Sequence, residues 1–169
     1  MLVHINLPGP DAGDVVDIVS SDGHTLTATP EDADLVVTTV PTAPSAVPPG
    51  ATILQFGGPL RLPTGTHVPT QVLDNSFRTT PAAQVLGVDL MARATLLTDP
   101  PRTAIVGAGQ TDVVPLVTNA HGQHLALLFP HSRGGWHWWV HESSLDTLPW
   151  IDAAVEQLAS QEARLRVGA

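Results

Sequence analysis

Two apolar runs, residues 34–40 (Asp-Leu-Val-Val-Thr-Thr-Val) and 51–56 (Ala-Thr-Ile-Leu-Gln-Phe), are separated by ten residues of which four are proline. Each run has the length and the near-continuous apolar character of a strand buried on both faces. Proline has no N–H and a fixed φ, so Pro41, Pro44, Pro48 and Pro49 cannot lie in a helix interior or a central strand, and the connection must be extended. The chain therefore builds a sheet whose two interior strands are joined without a crossover helix. That excludes an all-α fold.

Other elements follow from local patterning. Residues 2–7 alternate apolar and polar and stop at Pro8-Gly9-Pro10, a short first strand. Asp11 or Asp14 caps a short helix through Val15, Val16, Ile18 and Val19, stopped at Ser20-Ser21-Asp22-Gly23, after which residues 24–29 read as a strand and 30–33 as a turn. Residues 70–74 fit a sheet edge, 81–86 a short helix, and 93–106 two short strands parted by Asp99-Pro100-Pro101. Residues 113–119 and 123–129 form a hairpin around Ala120-His121-Gly122, whose glycine supplies the positive φ of a tight turn. Ser143, Ser144 or Thr147 caps a closing helix with Pro149 in its first turn, where a missing N–H costs nothing. In that helix Leu148, Ile151, Val155, Leu158 and Leu165 recur at helical spacing. The expected architecture is a single α/β domain over residues 1–169, an open mixed sheet with few helices and a C-terminal helix.

Charge and composition narrow the function classes. The net charge is −9, from 16 acidic and 7 basic residues, every basic one an Arg. This disfavours nucleic-acid binding and adhesion to anionic membranes. Without cysteine there is no disulfide, thiolate metal site or cysteine nucleophile. No apolar run approaches the roughly 20 residues of a membrane span, and residues 1–8 do not read as a secretory signal. The expectation is a soluble, cytoplasmic domain without membrane insertion, whose partner is a protein or a small-molecule ligand, with a homo-oligomer as a further possibility.

The order of elements resembles a known superfamily. A strand carrying Asp34-Leu35-Val36-Val37, a Pro48-Pro49-Gly50 turn and an apolar strand ending in Gly57-Gly58 come first. Asn75-Ser76-Phe77, Gly87-Val88-Asp89-Leu90, Pro115-Leu116-Val117, the Gly122 hairpin and a closing helix follow. This resembles the class I glutamine amidotransferase-like superfamily, in particular its non-catalytic branches of trehalose-utilisation type and aerotolerance type. The resemblance implies a flavodoxin-like core. It does not carry the chemistry over, because the catalytic members use a cysteine on a nucleophile elbow. This chain has neither that cysteine nor a Gly-x-Ser-x-Gly substitute, and Gly107-Ala108-Gly109 places no nucleophile between its glycines.

Chemically capable side chains concentrate in residues 130–142, read as a loop between the hairpin and the closing helix. His121 and His124 lie on the hairpin; His131, His137, His141 and Glu142 lie close enough along the chain to form an open three-ligand site for Zn or another divalent transition metal. Their spacing matches no ligand motif, and ordinary loop and hairpin histidines are the simpler account. If residues 136–141 are extended, His137 and His141 share a face; if helical, they are one turn apart. Trp136, Trp138, Trp139 and Trp150 could wall a ligand or anchor a partner, or simply fill space under the loop. Arg133 beside Gly134-Gly135 could clasp a carboxylate or phosphate, or pair with a surface acid. A Ser/His/Asp set drawn from Ser132, Ser143, Ser144, His131 and Asp146 lacks an elbow or oxyanion hole. Asp11, Asp14, Asp17 and Asp22 do not match a calcium loop. The reading is a non-enzymatic ligand- or protein-binding domain without cofactor, using Arg133, Trp136, Trp138 and Trp139. Its alternative is a metal-dependent hydrolase or other small-molecule enzyme using His131, His137, His141 and Glu142.

Overall fold

A computed structural model describes residues 1–7, 11–62, 65–86, 103–106, 112–141 and 147–167. Its elements are β1 (Leu2–Asn6), α1 (Asp11–Ser21), β2 (Thr25–Leu26), β3 (Leu35–Thr38), β4 (Thr52–Phe56), β5 (Leu60–Leu62), β6 (Gly65–His67), β7 (Thr70–Gln71) and β8 (Arg78–Thr79). They continue with α2 (Pro81–Val85), β9 (Thr103–Val106), β10 (Val114–Thr118), β11 (Gln123–Pro130), β12 (Trp136–Val140) and α3 (Thr147–Val167). The main sheet runs β2-β1-β3-β4-β12-β11-β10-β8, with β9 paired to both β11 and β7. Pairing is parallel from β2 through β12 and antiparallel from β12 onward. The expected mixed α/β sheet with few helices and a C-terminal helix is what the chain forms.

The parallel half has the order 2-1-3-4 of a flavodoxin-like sheet, continued by β12. Its two faces are covered differently. On one face Val3, Leu35, Val37, Leu54, Phe56, Trp138 and Val140 share a cluster with Val15 and Val19 of α1 and Trp150, Ile151 and Ala154 of α3. The opposite face carries no helix of that cluster. There Val36 and Ile53 pack under Ala33, Val47 and Ala51 from the connections before and after β3. Further along, Leu127, Phe129 and Trp139 pack with Leu60 and Leu62 of β5 and with Ile105. Burial on both sides explains why β3 and β4 read as continuous apolar runs rather than alternating ones. The proline-rich connection holds only a 3-10 turn at Pro44–Ala46.

Several local expectations meet a different outcome. Residues 130–142 are not a loop: Trp136–Val140 is a central strand between β4 and β11, and Glu142 lies outside the described residues. The chain reverses in residues 131–135, where the His131 N–H donates to the Gly135 carbonyl (2.9 Å), the Gly134 N–H donates to the His131 carbonyl (3.1 Å), and Gly134 adopts φ 87°. Buried histidines disguised that strand, since His137 interrupts what would otherwise be an apolar run. The strand expected over 24–29 shrinks to Thr25–Leu26 at the sheet edge. Of the two strands expected in 93–106, Thr103–Val106 forms, whereas residues 93–102 lie outside the described residues. The β5–β6 hairpin went unread, although Leu60 and Leu62 are buried around an exposed Arg61.

The hairpin around Gly122 forms as read, with φ 70° at its glycine. A buried polar network holds it to the segment after β7. The Asn119 amide donates to the Asp74 carbonyl (2.9 Å) and to Gln123 Oε1 (3.0 Å), while Gln123 donates to the Gln71 carbonyl (2.8 Å) and accepts from the Leu73 N–H (2.9 Å).

Two glycine substitutions separate conformational cost from steric cost. A Cβ at Gly135 would run into the Ala51 carbonyl and the His131 ring, whereas one at Gly122 meets open space and only an unfavourable φ. Gly122→Ala should lower unfolding stability by about 1–2 kcal/mol. Gly135→Ala should cost more than that, on the order of 3 kcal/mol or above, because backbone must move. Urea denaturation of both variants checks this, and equal losses would contradict the tight packing over Gly135.

Candidate functional site

The three histidines grouped by the sequence sit in separate hydrogen-bonded settings. His131, in the β11–β12 turn, accepts from the Arg133 N–H at Nδ1 (3.2 Å), so its ring hydrogen is on Nε2, which donates to the Ala51 carbonyl (2.6 Å). His137, in β12, faces Gln55 Oε1 at 3.1 Å. The Gln55 amide nitrogen donates to the Gly57 and Pro59 carbonyls, both at 2.8 Å, which fixes its oxygen toward the ring and makes His137 Nε2 the donor. His137 also stacks on Phe129 with centroids 4.8 Å apart. His141, just past β12, pairs with Thr103 Oγ1 at 2.8 Å and meets the edge of Trp139. Among the described residues no three His, Asp or Glu side chains form a group that could hold a metal ion.

Each of the grouped tryptophans has its own place. Trp138 and Trp139 are fully buried on opposite faces of β12. The Trp138 indole donates to Gln157 Oε1 of α3 (3.0 Å), and the Trp139 indole to the Gly58 carbonyl (3.2 Å). Trp150, in the first turn of α3, is buried against the sheet and Trp136 is half-buried against the same cluster. Arg133 is exposed, and its guanidinium reaches the Ser45 carbonyl at 3.4 Å, in the connection after β3.

An opening in the surface lies elsewhere. In an open α/β sheet a crevice forms outside the carboxyl ends of two adjacent strands whose onward connections leave in opposite directions. Here β1 continues through α1 to β2 on one side, β3 continues to β4 on the other, and the two connections cover opposite faces. At that point a cleft of about 340 Å³ is lined by His4 and Asn6 of β1, Val36 and Thr38 of β3, Pro30, and the connection after β3. Register explains the lining, because His4 lies beside Val36 and Asn6 beside Thr38 on the face away from the helices.

Within the cleft the polar groups divide into used and unused. Thr38 Oγ1 accepts from the Val40 N–H (3.1 Å), which turns the chain at the end of β3. His4 Nδ1 lies 3.1 Å from the Thr27 carbonyl. A carbonyl only accepts, so Nδ1 carries the ring hydrogen and Nε2 keeps a lone pair with no protein partner among the described residues. The Asn6 carboxamide, exposed at the end of β1, likewise has no protein partner among them. Sequence reasoning overlooked this pair because a polar residue every second position at the start of a chain reads as the solvent face. The available signal was topological: a helix after the first strand and a proline-rich crossover after the third force the chain to leave in two directions.

The chain matches no known family model, and no curated protein matches it.

Burial gives His137 a measurable signature. It pushes the imidazole down from its ordinary 6.5 to about 3, with nearby His131 adding to the effect; burial lowers His124 as well. The unfolded chain takes up the proton below about pH 6.5, and the folded chain refuses it until about pH 3. Stability from this group is therefore full above pH 6.5 and is lost as pH falls toward 3, by up to about 1.4 kcal/mol per pH unit. Urea midpoints should fall between pH 8 and pH 5, and His137→Gln should flatten that slope by one proton. A slope unchanged by the substitution would contradict a buried, unprotonated His137.

Proposed function

We propose that this chain is a non-enzymatic, small-molecule-binding domain with a degenerate amidotransferase-like fold, and that its ligand site is the cleft at the carboxyl ends of β1 and β3. The observation that carries the reading is the coincidence of an open cleft with the crossing point of the sheet, on the face opposite α1 and α3. Support for the fold assignment comes from the 2-1-3-4 strand order, the hairpin that follows it and the closing helix. Support for a binding role comes from the chemistry of the lining. None of the described lining residues is Asp, Glu, Lys or Arg, and the chain has no cysteine. Such a cleft offers hydrogen bonds and apolar walls but no acid–base pair and no thiol nucleophile.

Titrating the labelled protein with small polar and aromatic fragments tests the site. Amide resonances of residues 4–6 and 36–46 should shift together, and Ala43→Trp, which puts an indole on the cleft wall, should abolish those shifts while the rest of the spectrum is retained. Fragment shifts confined to another surface would overturn the assignment.

A further inference from the structure

Resting on that reading of the cleft, we infer that its ligand is an uncharged, flat heterocycle of nucleobase or nucleoside size, held at one end by Asn6 and at the other by His4. Four observations converge on this class. First, no described lining residue carries a formal charge, and Arg133, whose guanidinium reaches the Ser45 carbonyl in the connection after β3, is not among the lining residues. An anion would enter a neutral cleft on a chain of net charge −9 with nothing to compensate it. A cation finds no carboxylate among the described lining residues to compensate its desolvation.

Second, the polar groups left over form a specific pattern. The Asn6 carboxamide presents a donor and an acceptor side by side, which matches the paired N–H and C=O, or amino and ring-nitrogen, edge of a heterocycle. His4 Nε2 adds a lone acceptor, so the ligand must bring a second N–H or O–H. Third, His4 and Asn6 project from the same face of one strand two residues apart, roughly 6.6 Å along it. A one- or two-ring molecule spans that distance; a metal ion or a lone phosphate does not. Fourth, apart from Thr38 and Thr42, whose hydroxyls bond to the backbone of Val40, the remaining walls are apolar, with Pro30, Pro41, Val36 and Val40 among them. Their flat C–H surfaces suit a ring, and a volume near 340 Å³ lies toward the lower end of the roughly 300–1,000 Å³ found for ligand pockets.

Calorimetric and resonance-shift titrations with uridine and adenosine, each compared with its 5′-monophosphate, test the class. At least one nucleoside should bind with shifts at residues 4–6 and 36–46. The monophosphate should bind more weakly by several-fold, and His4→Phe or Asn6→Leu should each weaken nucleoside binding roughly tenfold, the usual loss of one neutral hydrogen bond and its exposed partner. The comparison of nucleoside with monophosphate uses the unaltered chain, so it decides the charge question even if a variant fails to fold. Tighter binding of the monophosphate would overturn the uncharged class while leaving the cleft as the site. Nucleosides that bypass a cleft which still takes up fragments would overturn the heterocycle assignment alone. If fragments bypass it too, the cleft itself is not the site and this inference falls with it.

Discussion

Because β12 pairs in parallel with β4 and antiparallel with β11, one five-residue strand decides how the parallel half of the sheet continues into the antiparallel half. It also joins the two layers. Trp138 points into the helix-covered face and is tied to Gln157 of α3, while Trp139 points into the opposite face and is tied to the turn after β4. Truncating a buried Trp to Ala typically costs about 3–5 kcal/mol, so two on one strand amount to a large share of a domain's marginal stability of roughly 5–15 kcal/mol. The tryptophans are the part of this chain that most resembles a binding wall by composition, and in the fold Trp138, Trp139 and Trp150 are buried while Trp136 is half-buried.

The polar groups on the same strand serve placement as well. His137 and Gln55 lie on adjacent strands, and the Gln55 amide reaches on to the Gly57 and Pro59 carbonyls. Trp139 takes the Gly58 carbonyl between them, and the Gly57 N–H donates to the Val140 carbonyl at 2.7 Å. Gly58 has φ 74°, and a Cβ there would press on the Thr39 carbonyl at 3.3 Å, so the turn after β4 is packed against the end of β3. A buried polar network of this kind gives one geometry or none, since any rotation leaves a desolvated donor or acceptor unpaired.

Strand existence was legible in the sequence where burial is two-sided and Val, Ile and Leu dominate, as in β3 and in β4 despite its buried Gln55, and turn chemistry was legible at Gly122. Legibility failed at β12. β12 carries His137 within a stretch otherwise made of Trp and Val, and periodicity counts a histidine as surface unless its partner is known. That partner, Gln55, lies 82 residues away in sequence. At β1 the alternation of residues 2–7 marks a strand but singles out neither His4 nor Asn6, and nothing local shows that the connection after β3 folds over to make one wall of a cleft. Which histidine is packed and which is available depends on long-range pairing that spacing along the chain does not contain.

The placement of that cleft follows from comparing neighbouring strand ends. The parallel strands all finish on one edge of the sheet, so Asn6, Thr38, Phe56 and Val140 are rivals for the same functional position. At β4 the three carbonyls of the following turn already accept hydrogen bonds from Gln55 and Trp139. At β12 His141 is buried and bonded to Thr103. At β3 the Thr38 hydroxyl closes its own turn. Only at β1 does a strand end with a ring nitrogen and a carboxamide that the described residues leave unpaired, and there the sheet's connections part to opposite faces. Hydrogen-bonding capacity that folding does not use is what a ligand can use, so the sheet's geometry and its polar accounting select the same place.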